Sequence, residues 1–419
     1  MKPEDKITDK GPKDRKGAIR YCLLFSIICL LSPLICPLSE AKVYIDITSP
    51  GLRKLPISIR SKGDDKAKAV EEIVRDDLIY TGLFDDVTTD MPPEIKIEIE
   101  LMGSDNIEAI VNVMDVIEDR SIFKKRYEAT KDIIRALGHS ISNDVFEAIT
   151  GIKGAFRTKI AYIQQDPSGE REIYLMDWDG HNQRPLVSGG LISSHHWSMD
   201  GRYIVYSSEI NKSWRIYLID LERFEKRMLF QSRGLNLVGN ISGNQLLFSS
   251  SKDGSPEIYI MDINSSNYRK LTHSYGIDVS PVLSPDGMRV AFVSDRGGSP
   301  QIYIMDMKEG SVSRLTFEGN YNTSPAWSPD GKWIAFSGRV GGKNQIFLIK
   351  SDGTGLRQLT DRGNNEEPSF SPDGLFIVFS SDRDGEKGIY QMRTNGEGQR
   401  RLSQRGVMAR LPRWSPYKY

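Results

Sequence analysis

Short stretches in which apolar and polar residues alternate recur along the C-terminal two-thirds of the chain. Three of them are RVAFVS at 289–294, WIAFSG at 333–338 and FIVFSS at 376–381. A period of two is typical of β-strands that bury one face. A polar loop and then a second apolar run follow such a stretch, for example IYIMD at 302–306. The pattern predicts a β-rich region built from a repeated unit of several strands.

The turn motif Ser-Pro-Asp-Gly gives the length of this unit. It occurs at 284–287, 328–331 and 371–374, with degraded copies at 198–201 and 242–244 and a last one at 415–417. Successive copies are 43, 43, 44, 43 and 43 residues apart, counted from Gly201, Asn244, Gly287, Gly331, Gly374 and Tyr417. Four strands in about 43 residues is the spacing of a propeller blade. The sequence therefore predicts a mainly β protein with a six-bladed β-propeller over residues 159–419.

The two ends of this region do not carry complete blades. The run at 159–163 matches the second strand of a blade, whereas the run at 411–415 matches a first strand. In a closed ring the C-terminal strand can become the innermost strand of the first blade. Closure pairs strand edges that would otherwise be exposed. We therefore expect 412–415 to pair with 160–163.

Residues 42–151 show a different pattern, which predicts a smaller α/β domain. Alternating runs at 43–47, 55–59, 95–101, 107–113 and 122–127 predict strands. Apolar residues at helical spacing predict one helix over 66–81, followed by Gly82, and another from about Thr130 to Thr150, ended by Gly151. The prediction is two helices on a mixed sheet, with 152–158 as the linker to the propeller.

The first 41 residues have the pattern of an export signal. Basic residues up to Arg20 precede an apolar run from Tyr21 to Leu38, and Ser39 and Ala41 fit the small-residue positions before a cleavage site. We expect a signal peptide over 1–41, a mature chain from Lys42, a periplasmic location and no membrane insertion after cleavage. The alternative is a retained membrane anchor, for which the run is near the minimum length.

Composition and motifs restrict the chemistry. The formal net charge is zero, which gives no whole-chain case for nucleic acid. All three cysteines lie before residue 41, so a cleaved chain has no disulfide and no Cys-based metal site. The chain contains no G-x-S-x-G, H-E-x-x-H, Walker A or strand-linked G-x-G-x-x-G motif. We expect no catalytic residues, no cofactor and no metal.

Two groups of aromatic residues in the propeller could nevertheless carry a ligand. The pair His195-His196 lies on a predicted inner strand, where one of the two could face the channel. Adjacent residues of a strand point to opposite faces, so the pair cannot chelate one metal together. Trp197, Trp327 and Trp414 recur at one position of the repeat. We interpret them as packing residues between blades, with ligand stacking as the alternative.

The segment GHSISNDVFEAITGIKGAFRTKIAY at 138–162 and the ending RWSPY at 413–417 closely resemble the domain junction and the C-terminus of the TolB family. TolB proteins are periplasmic members of the Tol–Pal system of Gram-negative bacteria. The resemblance spans the mature chain. It implies a non-enzymatic adaptor that supports outer-membrane integrity and cell division. It also implies that the propeller binds the lipoprotein Pal, and that an N-terminal segment binds the inner-membrane protein TolA.

A secreted propeller enzyme, such as a lyase or glycosidase acting at the mouth of the ring, is the competing hypothesis. Co-purification of a lipoprotein would favour the adaptor, whereas turnover of an oligosaccharide would favour the enzyme.

The phase of the repeat assigns different roles to the two faces of the propeller. The junction at 151–158 enters a second strand, so the N-terminal domain should lie on the face of the Ser-Pro-Asp-Gly turns. The opposite rim is then open to a lipoprotein partner. Its loops lie at 191–194, 233–236, 275–278, 320–322, 364–367 and 407–410. The candidate residues are Ser194, His195, Arg233, Asn236, Tyr275, Asp278, Asn320, Asn322, Asn364, Glu366 and Arg410.

The segment at 42–53 starts with a β-alternating run and then meets the breaker cluster Ser-Pro-Gly at 49–51. A strand that leaves its own sheet can pair with the edge of another protein. We therefore assign the TolA-type partner to Lys42, Val43, Tyr44, Ile45, Asp46 and Ile47. The alternative is an ordinary N-terminal strand that stays in its sheet.

Overall fold

The computed structural model describes residues 53–87 and 92–417. The predicted signal peptide and the predicted strand at 43–47 lie outside the described residues. Within them, the chain forms one five-stranded sheet with two α-helices, followed by six four-stranded sheets. This arrangement confirms the predicted fold class, a six-bladed β-propeller with an N-terminal α/β region.

The N-terminal sheet is mixed, as predicted. Its strands are β1 (Leu55–Lys62), β2 (Phe84–Asp86), β3 (Ile95–Met102), β4 (Asn106–Asp115) and β5 (Arg120–Thr130). The order across the sheet is β2-β1-β3-β4-β5, with β1 parallel to both of its neighbours and β3 to β5 antiparallel. Strand β2 was not predicted, because three residues are too few to show a period.

Two helices cover this sheet. Helix α1 (Asp65–Tyr80) begins after Asp64, whose side chain accepts a hydrogen bond from the amide of Lys66 at 3.0 Å. Helix α2 (Ile134–Thr150) ends at Gly151, which has a φ of 72°. The predicted start of α2 at Thr130 is wrong by about one turn, since Lys131–Ile133 forms a 3-10 helix. Both helices bury residues at helical spacing, namely Ala67, Val70, Val74, Leu78, Leu137, Ile141 and Val145.

The six blades follow in chain order. Blade 1 contains β6 (Lys159–Gln165), β7 (Arg171–Asp177) and β8 (Arg184–Val187); blade 2 contains β9 (Leu191–Trp197), β10 (Tyr203–Ile210), β11 (Ser213–Asp220) and β12 (Glu225–Ser232). Blade 3 contains β13 (Asn236–Ser242), β14 (Gln245–Ser250), β15 (Glu257–Asp262) and β16 (Tyr268–Lys270); blade 4 contains β17 (Asp278–Leu283), β18 (Arg289–Ser294), β19 (Gln301–Asp306) and β20 (Val312–Arg314). Blade 5 contains β21 (Asn322–Trp327), β22 (Trp333–Val340), β23 (Lys343–Lys350) and β24 (Arg357–Gln358); blade 6 contains β25 (Asn365–Phe370), β26 (Phe376–Ser381), β27 (Gly388–Arg393) and β28 (Arg400–Arg401).

The last strand, β29 (Met408–Trp414), closes the ring. It pairs antiparallel with β6, with Arg413 opposite Ala161 and Trp414 opposite Ile160. Blade 1 therefore takes its innermost strand from the C-terminus, in the order β29-β6-β7-β8. The predicted pairing of 412–415 with 160–163 is confirmed.

The Ser-Pro-Asp-Gly motif forms the turn between the first and second strands of a blade. In the copy at 284–287, the hydroxyl of Ser284 donates to Asp286 Oδ1 at 2.5 Å and accepts from the amide of Arg289 at 2.9 Å. Gly287 has a φ of 73°, a conformation that favours glycine. The same hydroxyl-to-aspartate bond occurs in the copies that begin at Ser328 and Ser371. The motif is thus explained by turn chemistry.

Neither helix in the described part of the chain has the length and hydrophobicity that a bilayer crossing needs.

Candidate functional site

The N-terminal domain packs against the turn face of the propeller, on blades 1 and 6. The amide of Ala155 in the junction donates to Asp373 Oδ2 in a Ser-Pro-Asp-Gly turn at 3.1 Å. The hydroxyl of Tyr80, at the end of α1, donates to the carbonyl of Gly398 at 2.9 Å. Trp178 is 1% exposed between these parts. The turn face is therefore the covered face, as the phase of the repeat predicts.

The opposite rim carries a band of exposed apolar side chains. Tyr275 and Phe317, in two of the loops that lead into a first strand, are 107% and 72% exposed. Other members of the band lie at the rim ends of strands or in the same loops: Leu191, Ile277, Val340 and Met408. Exposed apolar side chains on the face that the N-terminal domain leaves open are candidate contacts for a partner. We call Leu191, Tyr275, Ile277, Phe317, Val340 and Met408 the rim band.

The sequence-predicted rim residues divide into three groups by exposure. Arg233, Tyr275 and Asn320 are exposed. Ser194, Asn364, Glu366 and Arg410 are half-buried. His195, Asn236, Asp278 and Asn322 are buried. The first group lies on the open surface of the rim loops, whereas the last has no surface to offer a partner.

Three of the four buried residues of this set have polar partners within the chain. Asn236, Asp278 and Asn322 occupy the same position of the repeat, at the start of a first strand. Asn322 Nδ2 donates to Gln301 Oε1 at 2.8 Å, and Asp278 pairs with Arg296 at 2.7 Å. Buried polar groups are stable when such partners are present. The architecture explains the burial and the partners of these residues, and their assignment to a partner surface stays a prediction.

Three of the half-buried residues also have partners within the chain. Ser194 Oγ accepts a hydrogen bond at 2.9 Å from the amide of Val238 in the next blade. Glu366 accepts from Asn344 at 2.7 Å and pairs with Lys387. Asn364 Oδ1 accepts from the amide of Asn344 at 2.9 Å. These contacts position the rim loops.

The histidine pair points to opposite sides of β9, as predicted. His195 is 1% exposed between blades, while His196 lines the central channel. Nε of Arg413 donates to Nε2 of His196 at 3.1 Å. A guanidinium group can only donate, so this imidazole nitrogen carries no proton. His196, and not His195, is the histidine that faces the channel.

Repeated bends in the innermost strands shape the channel. The ladder between first and second strands shifts register in all six blades. At four of these bends a residue directly before a proline has positive φ, namely Ser280, Ser324, Glu367 and Leu411 at 52–63°. A β-bulge bends its strand and turns side chains to a new direction. At these bends, side chains such as Glu367 turn into the channel.

The recurring tryptophans pack on the turn side of the channel. Trp197, Trp327 and Trp414 are 5%, 9% and 6% exposed. Their indole nitrogens donate to groups of the preceding blade or of the junction; for Trp327 this is the carbonyl of Val282, at 3.2 Å. Burial supports the packing interpretation.

In the described ranges, no three His, Cys, Asp or Glu side chains come together in a way that could hold a metal ion. Sequence reasoning named Tyr275 and Arg410 as rim candidates, but it did not name the other members of the rim band or the channel-facing Arg171 and Arg413. The sequence carried a signal for Arg413, because this arginine stands at the position of the repeat that His196 occupies in blade 2.

Burial lowers the pKa of His195 to about 3, and the charge of Arg413 adds to this effect. The unfolded chain binds a proton there below about pH 6.5, whereas the folded chain does not until about pH 3. Stability should therefore fall as the pH falls below 6.5, by about 1.4 kcal/mol per pH unit for this residue. In urea unfolding between pH 7 and pH 5, the stability of His195→Gln should fall less steeply with falling pH than that of the parent protein. The difference should be about 1.4 kcal/mol per pH unit below pH 6.5. His273→Gln, at an exposed histidine, controls for the loss of an imidazole; an unchanged slope in His195→Gln would contradict the prediction.

These features define a class: a β-propeller closed by its own C-terminal strand, with a small α/β domain on one face and an open rim on the other. The family model of the TolB β-propeller domain matches residues 146–418. The chain belongs to the TolB family.

Relatives and a solved structure agree with this assignment. The chain is 32% identical over 203 residues to the Tol-Pal system protein TolB of Legionella pneumophila (strain Corby), covering 43% of this chain and 48% of the relative. It is 30% identical over 245 residues to the protein of the same name from Haemophilus influenzae (strain PittGG), covering 52% and 57%. The chain thus spans about half the length of the curated relatives it matches. The crystal structure of TolB from Acinetobacter baumannii superposes with a TM-score of 0.80 at 29% identity, covering 87% of this chain and 97% of that one.

Proposed function

We propose that this protein is a periplasmic binding adaptor of a Tol–Pal system. In this proposal the rim of the propeller binds a Pal-like lipoprotein, and residues 42–53 bind a TolA-like inner-membrane protein. The mature chain would begin at Lys42, with an N-terminal domain over 42–151, a linker over 152–158 and the propeller over 159–419. Its activity would be binding, which supports outer-membrane integrity and division.

The observation that carries this proposal is the rim band. Its six side chains come from blades 1, 2 and 5 and from the loops before blades 4 and 5. Exposed Arg233 lies in the loop before blade 3 on the same face. Aromatic residues and arginine are enriched among the residues that dominate protein–protein binding energy. An apolar band with arginine at its margin fits the surface of a folded protein partner.

The division of the two faces supports the proposal that a lipoprotein binds the rim. The N-terminal domain contacts the turn face through Tyr80 and Ala155, which leaves the rim accessible. A lipoprotein on the rim would then contact the face of the propeller that the N-terminal domain leaves open. Names of the relatives, which include the words Tol-Pal system, support partners within such a system.

Calorimetric titration with a purified Pal-like lipoprotein tests the rim. Tyr275→Ala and Arg233→Glu should each weaken binding roughly tenfold or more, because each removes a candidate anchor worth at least about 1.4 kcal/mol. Arg227→Glu is the matched control, since Arg227 is exposed on the outermost strand of blade 2. Equal affinities of the three variants and the parent protein would remove the rim from consideration.

The same titrations separate the two proposed partners. A chain that lacks residues 42–53 should lose the TolA-like partner and keep the lipoprotein. Turnover of an oligosaccharide by the parent protein, with no binding of either partner, would instead favour the enzyme hypothesis.

A further inference from the structure

The rim-side half of the central channel is a cavity of about 390 Å³ with an unusual charge balance. Three arginines line it, namely Arg171, Arg410 and Arg413, whereas Glu367 is the one carboxylate among its lining residues. The rest of the wall consists of small polar and apolar side chains and of His196, whose Nε2 accepts from Arg413. The cavity therefore holds an excess of positive charge.

This excess comes from one blade. Arg410 and Arg413 stand on β29. At the position of Arg410 the other five blades have Ser193, Leu237, Val279, Thr323 and Glu366. At the position of Arg413 they have His196, Asn240, Val282, Ala326 and Ser369. Arg171 reaches the channel from β7 of the same blade. The repeat does not require arginine at the two β29 positions. Blade 1 thus contributes a cluster of three cations to a ring that is otherwise nearly neutral at these positions.

The guanidinium group of Arg413 donates to His196 and to the carbonyl of Pro412 at 2.9 Å, whereas those of Arg171 and Arg410 are poorly satisfied by the protein. No carboxylate among the described residues lies within ion-pair distance of any of the three. Nε of Arg410 is buried and has no hydrogen-bond partner in the described part of the chain. Arg171 makes only long contacts, 3.4 Å to Gln165 Oε1 and 3.4 Å to the carbonyl of Ile192. Buried donors without partners are costly, so these groups need a ligand or ordered water.

Glu367 offsets only part of the charge of the cluster: burial lowers the pKa of Arg413 and the charge of Glu367 acts to raise it, but Glu367 is one carboxylate against three guanidinium groups. Its Oε2 already accepts hydrogen bonds from the amide of Leu411 at 2.7 Å and from the hydroxyl of Ser380 at 2.6 Å. Burial lowers the pKa of Arg171, and the charge of Arg410 lowers it further, which shows that the two cations repel each other. A cation would be repelled from this cavity, whereas an anion would relieve the repulsion.

We propose that the rim-side half of the central channel binds a small oxyanion, a carboxylate or a phosphate, between the guanidinium groups of Arg171, Arg410 and Arg413. The planar fork of a guanidinium group matches the paired oxygens of both anions. The volume is sufficient for such an anion with a few waters. The site is distinct from the rim band, because it uses side chains that face the channel, although Ser194 and Arg410 are also candidates of the predicted lipoprotein rim.

The test measures unfolding midpoints in urea with inorganic phosphate and, separately, with acetate, each against chloride at equal ionic strength. A bound anion stabilises the folded state increasingly as its concentration passes the dissociation constant. Stabilisation by phosphate but not by acetate would show that the site selects a phosphate. Stabilisation by both salts would show that a carboxylate group is sufficient for binding. Calorimetric titration with the same salts gives the affinity directly.

Variants assign any effect to the site. Arg171→Gln and Arg410→Gln should each weaken anion binding roughly 10- to 100-fold, the range expected for the loss of a charge-assisted hydrogen bond. Glu367→Gln should strengthen it, since the amide oxygen keeps an acceptor and the negative charge is lost. Arg339→Gln is the matched control: Arg339 stacks on Tyr321 at the rim and does not line the cavity.

Arg410→Gln leaves no hydrogen-bond partner unpaired, so we expect it to fold, and its midpoint in chloride checks this. Equal midpoints in phosphate, acetate and chloride for the parent protein would overturn the proposal. So would stabilisation that persists in Arg171→Gln and Arg410→Gln.

Discussion

Removal of residues 410–419 is expected to abolish cooperative folding of the propeller. The truncation deletes most of β29, which is the innermost strand of blade 1. It leaves the inner edge of β6 without a partner, and it removes the contacts of blade 1 with its neighbours at the channel. A propeller avoids open strand edges by closing its ring, so an open ring exposes two edges together.

The contacts of Trp414 set a lower limit for the effect. Trp414 is 6% exposed, stacks on Phe376 with ring centres 6.1 Å apart, and donates to Thr158 Oγ1 at 2.7 Å. Loss of a buried tryptophan side chain alone costs about 3–5 kcal/mol. The backbone pairs of β29 with β6 are lost in addition. Because domains are stable by only about 5–15 kcal/mol, the truncated chain should be largely unfolded or molten at 25 °C.

Urea unfolding followed by tryptophan fluorescence and circular dichroism measures this outcome. A chain that lacks only residues 418–419 is the control, since it keeps every residue of β29. A truncated chain with the midpoint and the cooperativity of the control would show that the ring does not depend on its closing strand.

The repeat explains why the propeller could be predicted in such detail. Regular spacing of the Ser-Pro-Asp-Gly turns fixes the length of a blade, and each residue type in the motif has a local task in the turn. The incomplete first and last blades then leave ring closure as the arrangement that pairs every edge. These inferences need only local sequence and the rule that strand edges are paired.

The site could not be predicted to the same depth, because position within a loop does not determine burial. Asn236 and Arg233 lie three residues apart at one rim loop, yet Asn236 is fully buried and Arg233 is exposed. Asn236 Nδ2 donates to the carbonyl of Trp214 at 3.1 Å, a contact between strands of neighbouring blades that has no sequence signature. Likewise, Phe317 follows a fourth strand and would ordinarily be assigned to the core, yet it is 72% exposed.

Comparison of the blades in the sequence could have predicted the contact between the N-terminal domain and the propeller. Trp178 follows the third strand of blade 1. The corresponding residues of blades 2 to 6 are Leu221, Ile263, Met307, Ser351 and Thr394. A large aromatic residue in the one blade that follows the junction indicates that something covers it. The structure shows that the N-terminal domain does.

Trp178→Ala is the second substitution with a large expected effect. The indole of Trp178 is 1% exposed. Its ring centre lies 5.9 Å from that of Tyr80 in α1, 5.1 Å from that of Phe156 in the junction and 5.6 Å from that of Phe376 in blade 6. The guanidinium group of Arg400 lies 3.6 Å from the ring centre of Tyr80 and 5.2 Å from that of the indole. Truncation would leave a cavity shared by both parts of the molecule, at a cost of about 3–5 kcal/mol.

Because the cavity would lie between the N-terminal domain and the propeller, we expect the loss of stability to be concentrated at their contact. Both parts share one continuous apolar core through this residue, so its removal should weaken their contact more than it weakens any single blade. Amide hydrogen exchange should therefore rise in α1 and in the junction at 151–158, while the strands of blades 3 to 5 keep their protection. Trp178→Phe should restore most of both losses, because a phenyl ring retains contact with Tyr80 and Phe376.

Trp333→Ala is the matched control, since Trp333 lies in blade 5, where Arg357 stacks on it, and does not touch the N-terminal domain. It should cost less, because Trp333 is only half-buried, and it should leave exchange in α1 unchanged. If Trp178→Ala lost no more stability than this control and left exchange in α1 at the parent level, the indole would not be what joins the two parts. The polar contacts of Tyr80 with Gly398 and of Ala155 with Asp373 would then have to hold the N-terminal domain on the turn face.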